Sequence, residues 1–288
     1  MMDMVTLTAT QHQRSAALIA DCSLELSPRD ELAGDALRKL LAPGTTVFVN
    51  HPPSVTHHDI VAACARLRRA GFVPVPHVAA RRLASFTQAS DFLQRAAGEA
   101  AVERILLIGG DDSPVGPFRA SLDLLATGVV ERHGIAQVSF GGYPEGHPAI
   151  DANTLDVALQ AKVALARQGG LAISLVTQFG FEAQPILRWI AAQRAHGMDC
   201  PVHVGVAGPA TVATLAKFAI RCGIGASLRA LARGHTAFAR IMTEAGPEAL
   251  IADLVAGETA DTPIAGLHVF TFGGVRRAAE LIRHSTEL

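Results

Sequence analysis

The sequence predicts an α/β fold, a single (β/α)8 TIM barrel spanning residues 1–288. Three observations carry that expectation. Eight short apolar, β-branched runs recur along the chain, and each is followed by a longer stretch with room for a helix. The length of 288 residues suits one closed barrel with its helices. Polar, chemistry-bearing residues gather at the carboxyl ends of the runs, the edge where such a barrel carries its site.

The runs fall at 22–26 (CSLEL), 45–50 (TTVFVN), 72–77 (FVPVPH), 104–109 (RILLIG), 135–141 (IAQVSFG), 171–177 (LAISLVT), 201–206 (PVHVGV) and 266–272 (GLHVFTF). Between them lie amphipathic stretches. Residues 55–70 place Ile60, Cys64 and Leu67 at helical spacing, collect Arg66, Arg68 and Arg69 near their end, and stop at Gly71. Residues 151–168 carry Leu155, Leu159 and Val163 and end at Gly169, and 182–196 end at Gly197. Such stripes read as helix faces packed on a sheet. The segment 208–265 has room for two or three helices. No linker, repeat or low-complexity tract interrupts the pattern, so one domain is expected.

Composition narrows the function. Hydrophobic residues make up 49% of the chain and charged residues 18%, which excludes a disordered protein. The net charge is −1, from 25 basic and 26 acidic residues, so a nucleic-acid partner is not expected. Cys22, Cys64, Cys200 and Cys222 form no C-x-x-C pair and suggest neither zinc site, redox motif nor disulfide framework. Gln11, His12, Gln13 and Arg14 stand where a signal peptide would be apolar, and no run of about 18 apolar residues exists. The expectation is a cytoplasmic protein without a membrane partner.

Strand alternation turns Leu24 and Leu26 toward helices and Glu25 into the barrel. The second run ends in Asn50 and His51, the third in His77, and the fourth leads into Gly109-Gly110-Asp111-Asp112. The fifth leads into Tyr143, the one tyrosine of the chain, and His147; the sixth ends in Thr177 and Gln178. The amino-terminal ends carry nothing comparable. Each residue has a bland reading: Glu25 as half of a buried ion pair, Asp111 as a cap, His77 as a structural histidine, Gln178 bonded to backbone, Tyr143 as packing. Their shared placement at one kind of strand end favours function, and an unpaired buried carboxylate is costly.

These residues carry a resemblance to the methylenetetrahydrofolate reductase family of the compact bacterial type, extending from about Ser23 to Arg277. Gly142-Tyr143-Pro144-Glu145-Gly146-His147-Pro148 resembles the family's tyrosine-proline-glutamate loop, and Thr177-Gln178-Phe179 its threonine-glutamine-phenylalanine motif. Ser23-Leu24-Glu25-Leu26-Ser27-Pro28 is similar to its opening strand, Pro76-His77 to its proline-histidine pair, and Gly110-Asp111 to its glycine-aspartate pair. Gly109 stands where the family has arginine.

The resemblance implies a flavin-dependent oxidoreductase interconverting 5,10-methylenetetrahydrofolate and 5-methyltetrahydrofolate, with FAD as cofactor and NADH or NADPH as hydride donor, in ping-pong fashion. It implies tetrahydrofolate derivatives as partners, a place in one-carbon metabolism and methionine biosynthesis, and a homo-oligomer. Glu25 matches the general acid that protonates folate N10, and Asp111 the carboxylate beside the pterin. Gln178 matches the pterin-binding amide, and Arg276 or Arg277 a contact to the folate tail. Asn50, His77, Tyr143, His147, Asp156 and Lys162 match positions around FAD. Glu25 has to carry its proton near neutral pH to donate it, and a desolvated barrel interior favours the neutral acid.

Two other classes stay open. One is a metal-dependent barrel hydrolase or lyase using Glu25, His77, Asp111 and His147 as ligands, although no H-E-x-x-H motif exists. The other is a non-catalytic folate- or flavin-binding barrel. A Schiff-base aldolase is disfavoured, because none of the three lysines, Lys39, Lys162 and Lys217, ends a run. Gly223-Ile224-Gly225 is a weak dinucleotide-loop lookalike that follows no strand run.

Overall fold

Each of the eight apolar runs forms a strand. In the computed structural model, which describes residues 8–30, 35–224 and 247–286, the strands close into a barrel in sequence order. They are β1 (Ser23–Leu26), β2 (Thr46–Val49), β3 (Val73–Ala79), β4 (Arg104–Ile108), β5 (Gln137–Gly142), β6 (Ala172–Thr177), β7 (Val202–Ala207) and β8 (Gly266–Phe270). The chain is an eight-stranded parallel barrel with helices between strands, as the alternating texture predicts.

The strand ends differ in places from the expected runs. β3 continues to Ala79, so His77 lies inside the strand rather than at its end. Pro74 and Pro76 both precede the point where β3 begins to pair with β4, at His77↔Leu106, so their missing N–H groups cost little.

Contacts divide the chain into two compact units. The first comprises Leu24–Gly142 and Asp156–Val176. Its inward residues follow the register Glu25↔Phe48↔Val75, with His77↔Leu106↔Ser139 alongside. Phe48, Val75, Leu106 and Val176 pack together, with Ile108 against them. The outward residues Leu24, Leu26, Val47, Val49, Ile105 and Leu107 are buried as well. Two of the helices that cover this unit are α3 (His57–Arg69), facing in with Ile60, Cys64 and Leu67, and α4 (Phe86–Ala100), facing in with Phe92 and Leu93; α2 (Asp35–Arg38) is shorter. Each fully buried side chain of this size contributes about 1.5–3 kcal/mol. α3 starts at a reciprocal cap: the Asp59 N–H donates to Thr56 Oγ1 at 3.2 Å and the Thr56 N–H to Asp59 Oδ2 at 2.8 Å. Past its end, Gly71 adopts the positive φ of +86° that the expected stop requires. The remaining helices of this unit are α5 (Ser121–Leu125), α6 (Val129–Arg132) and the greater part of α7 (Ala152–Gln168).

The second unit comprises Met1–Ser23, Tyr143–Leu155 and Thr177–Leu288. It holds α1 (Ala9–Ala20), α8 (Ala183–Ala195), α9 (Val212–Cys222), α10 (Glu248–Gly257) and α11 (Val275–Thr286). α1 packs on α10, α11 and β8, and Arg14 forks onto Glu258 through Nε at 3.2 Å and Nη2 at 3.1 Å. Phe179, Ala219 and Ile224 form a buried cluster flanked by Phe181, Phe218, Phe270 and Phe272. Between β7 and β8, α9 and α10 are described; residues 225–246, including Gly225 of the dinucleotide-loop lookalike, lie outside the described residues. Gly223 has the ordinary task of capping α9 in the left-handed conformation, φ +66°.

The amino-terminal and middle parts of the strands also carry polar groups, paired with one another. In the first unit Ser174 bonds Ser139 at 2.8 Å and accepts from Gln137 Nε2 at 3.2 Å. In the second, Ser23 Oγ lies 2.9 Å from Nδ1 of the fully buried His268. Inward positions short of the rim are dry, so polar side chains there survive by pairing with one another. No described helix is long and apolar enough to cross a membrane.

Candidate functional site

Three neighbouring strands of the first unit each contribute one side chain to a cluster: Glu25 from β1, Asn50 from the end of β2 and His77 from β3. Glu25 is the inward residue of β1 between Leu24 and Leu26, as alternation requires. Asn50 follows β2, its N–H donating to the Leu26 carbonyl at 2.9 Å, and its Nδ2 donates to Glu25 Oε1 at 3.0 Å. His77 on β3 places Nε2 3.4 Å from Glu25 Oε2. The Glu25 and His77 side chains are only 15% and 10% exposed. Phe48 sets its ring at 77° to that of His77, 6.1 Å away. A carboxyl this enclosed needs partners, and one amide N–H and one imidazole supply them. Either Glu25 is the neutral acid beside neutral His77, or the two form a carboxylate–imidazolium pair. The two states hold the same proton, on the carboxyl in one and on the imidazole in the other, so it can pass between the two side chains. Asn50 Oδ1 is buried and makes no hydrogen bond among the described residues, leaving an acceptor beside the acid.

A second cluster adjoins this one through the chain at Asn50–His51. Arg82, in the 3-10 turn after β3 (Ala80–Arg82), donates through Nη1 to the His51 carbonyl and through Nε to Asp112 Oδ2 at 2.6 Å. Its Nη2 lies 2.5 Å from the same oxygen. His51 meets His57 edge-on at 5.0 Å, and the His57 ring lies tilted at 35° to that of Phe92, 4.8 Å away. Burial pushes His51 down to about 3, aided by the nearby His57, Arg82 and His77. Burial, with Arg82 beside it, also lowers His57, while Asp91 opposes this. Both imidazoles are therefore neutral near pH 7.

The other expected residues are placed as follows. Asp111 is exposed at the start of the loop after β4, and its neighbour Asp112 is the one that holds Arg82. Asp156 and Lys162 lie on α7, one to two turns apart and both half-buried. The Lys162 ammonium sits 5.4 Å from the Phe140 ring centroid, has no carboxylate partner among the described residues, and is pushed down to about 8 by burial. In the second unit Tyr143 and His147 meet ring edge to face at 5.4 Å, across a turn closed by the Gly146 N–H on the Tyr143 carbonyl. Gln178 accepts from the Phe179 N–H at 3.2 Å and, with Phe179, Glu145 and Ile224, lines a small cavity. Arg276 and Arg277 are exposed on α11, and neither has a partner among the described residues.

The sequence reading missed Arg82 and left His51 and Asp112 without a role. The available signal was the pair of doublets: Arg81-Arg82 just past the third strand and Asp111-Asp112 just past the fourth. Among the described residues no group of three or more histidine, cysteine, aspartate or glutamate side chains is arranged to hold a metal ion.

No family model matches the sequence. Among solved structures, a dihydropteroate synthase from Thermus thermophilus is similar at 16% identity over 90% of either chain, with a TM-score of 0.46.

Proposed function

We propose that this chain is an FAD-dependent oxidoreductase that interconverts 5,10-methylenetetrahydrofolate and 5-methyltetrahydrofolate, with NADH or NADPH as hydride donor. The observation that carries the reading is the enclosed Glu25 carboxyl, held by the Asn50 amide and faced by His77 at 3.4 Å. The motif resemblance names the reaction that needs such an acid.

Two features of the first unit fit a flavin dinucleotide. Asn50 Oδ1 is a buried acceptor in want of an N–H or O–H donor. Lys162 is a desolvated cation without a carboxylate partner among the described residues, suited to phosphate oxygens. Asn50, His77, Asp156 and Lys162 would hold the cofactor there, and the resemblance adds Tyr143 and His147. When bound, FAD supplies hydride transfer between the nicotinamide and the folate one-carbon unit. Glu25 in its acid form donates its proton to the folate nitrogen that leaves as the methylene bridge opens. In this reading His77 Nε2, 3.4 Å from Glu25 Oε2, returns a proton to it. The Asn50 amide keeps Oε1 occupied, so Oε2 is the oxygen on the proton's path. Gln178 and the pair Arg276 and Arg277 are the proposed folate contacts.

The test is a spectrum of the purified protein after equilibration with FAD, followed by anaerobic additions. The expected result is a yellow protein whose flavin absorbance bleaches with NADH or NADPH and returns with 5,10-methylenetetrahydrofolate. A protein that takes up no FAD, or a bound flavin indifferent to both nicotinamides, would overturn the reading.

A further inference from the structure

We propose that Arg82 is a positioning residue for the Glu25 acid, a clamp that ties the chain leaving β2 and the loop leaving β4 to the turn after β3. The proposal rests on the Glu25–Asn50–His77 site and is independent of which cofactor that site serves.

The clamp is built from two consecutive arginines. Arg82 is 14% exposed in its side chain and spends all three guanidinium nitrogens on two partners. One partner is the His51 carbonyl, which belongs to the residue after Asn50. Fixing that peptide fixes the backbone from which Asn50 reaches Glu25. The other partner is Asp112, in the loop that carries Asp111. Arg81 grips the same loop. Its N–H donates to the Gly109 carbonyl at 2.9 Å, its Nη1 to the Gly110 carbonyl at 3.1 Å and its Nε to the Arg119 carbonyl at 2.7 Å. The Val115 N–H returns a bond to the Arg81 carbonyl at 2.9 Å. Gly116 lies so close to the turn that a Cβ there would collide with the carbonyl oxygens of Leu83 and Ala84. The loop is thus laid onto the turn along most of its length.

A guanidinium suits this task because its planar fork can serve a carboxylate and a carbonyl together, whereas a lysine ammonium is a point charge on a flexible stem. The same cation faces two imidazoles, the buried His51 and the half-buried His57. The charged or titratable groups around them are His77 on β3, Arg82 in the turn and Asp91 on α4. Arg82 therefore leaves two separable marks, one mechanical and one electrostatic.

Both marks are read on the full chain without any ligand, so they succeed or fail apart from the flavin proposal. Hydrogen exchange follows residues 109–119, and NMR follows the Asn50 side-chain amide and the His51 ring. Arg82→Gln is expected to speed exchange in 109–119 by about tenfold or more. It should also remove the protection of the Asn50 amide and move the His51 midpoint upward from about 3. Arg82→Lys keeps the positive charge, so His51 stays low while the loop and the Asn50 amide loosen. Should Arg82→Gln fail to fold, Asp112→Asn carries the test: exchange in 109–119 rises and His51 stays low. Unchanged exchange and an unchanged Asn50 amide in the folded variants would overturn the proposal. So would full retention of both in Arg82→Lys.

Discussion

Lys162 gives the residue scale its clearest consequence. Its ammonium lies over the Phe140 ring, and burial lowers it from 10.5 to about 8. Burial disfavours the charged form, so the amine is largely neutral above pH 8 and unusually nucleophilic there. Amine-selective labelling at pH 8 followed by peptide mapping should therefore modify Lys162 with a midpoint near 8. A bound phosphate favours the ammonium and reverses the shift, so FAD or pyrophosphate should slow that labelling. A midpoint near 10.5 that ignores FAD would remove Lys162 from any anion site. At this scale the sequence made Glu25 legible, because strand alternation alone turns it inward; His77 reads as the end of its run, whereas β3 carries it as an interior residue. The sequence hid Arg82, whose partners lie 31 and 30 residues away along the chain in two other loops. Nothing local distinguishes that arginine from Arg81 beside it.

At the scale of elements, the loop after β4 offers a paired test. Gly116→Ala forces a methyl against the backbone carbonyls of Leu83 and Ala84, neither of which can yield without moving the turn. Overpacking of this kind costs about 1–3 kcal/mol. A lower urea midpoint at unchanged slope is the expected result. Gly109→Ala, with no atom within 4 Å of the added methyl, should stay within about 0.5 kcal/mol of the parent. Equal midpoints for the two variants would mean that the loop does not rest on the turn. Helix starts and stops were readable where their chemistry is local. Gly71 ends α3 and Gly197, at φ +75°, follows α8, as their positions in the sequence suggest. α1 escaped notice, although Thr8 and Gln11 form a capping box at its start with bonds of 2.8 and 3.3 Å. The length of β3 beyond His77 was also hidden, because two prolines made that run look like an ending.

For the whole molecule, His51 and His57 contribute to the response to acid. His51 binds a proton at about 6.5 when unfolded but only near 3 when folded, and His57 shifts in the same direction. Between those values the unfolded chain holds more protons, so stability rises with pH across the window and falls on acidification through it. Urea unfolding at pH 7 and pH 4.5 should show the loss, and His51→Asn should reduce the slope. A flat profile between pH 7 and 4.5 would contradict the placement of His51. The barrel itself was legible because its signal is repetitive: eight apolar runs, each with room for a helix after it, in a chain of the length that favours a closed barrel over an open sheet. The interior polar pairs Ser139–Ser174 and Ser23–His268 were not, since each needs a partner from a strand distant in sequence.

The central claim is that Glu25, in the grip of Asn50 and His77, is the proton donor for folate reduction. Its most direct test is the Glu25→Gln protein loaded with FAD, in two half-reactions followed at the flavin absorbance. Bleaching by the nicotinamide should proceed at the parent rate, because no proton from Glu25 is needed there. Return of the absorbance with 5,10-methylenetetrahydrofolate should slow by about 10²–10⁴-fold. Recovery at the parent rate in Glu25→Gln would contradict the account.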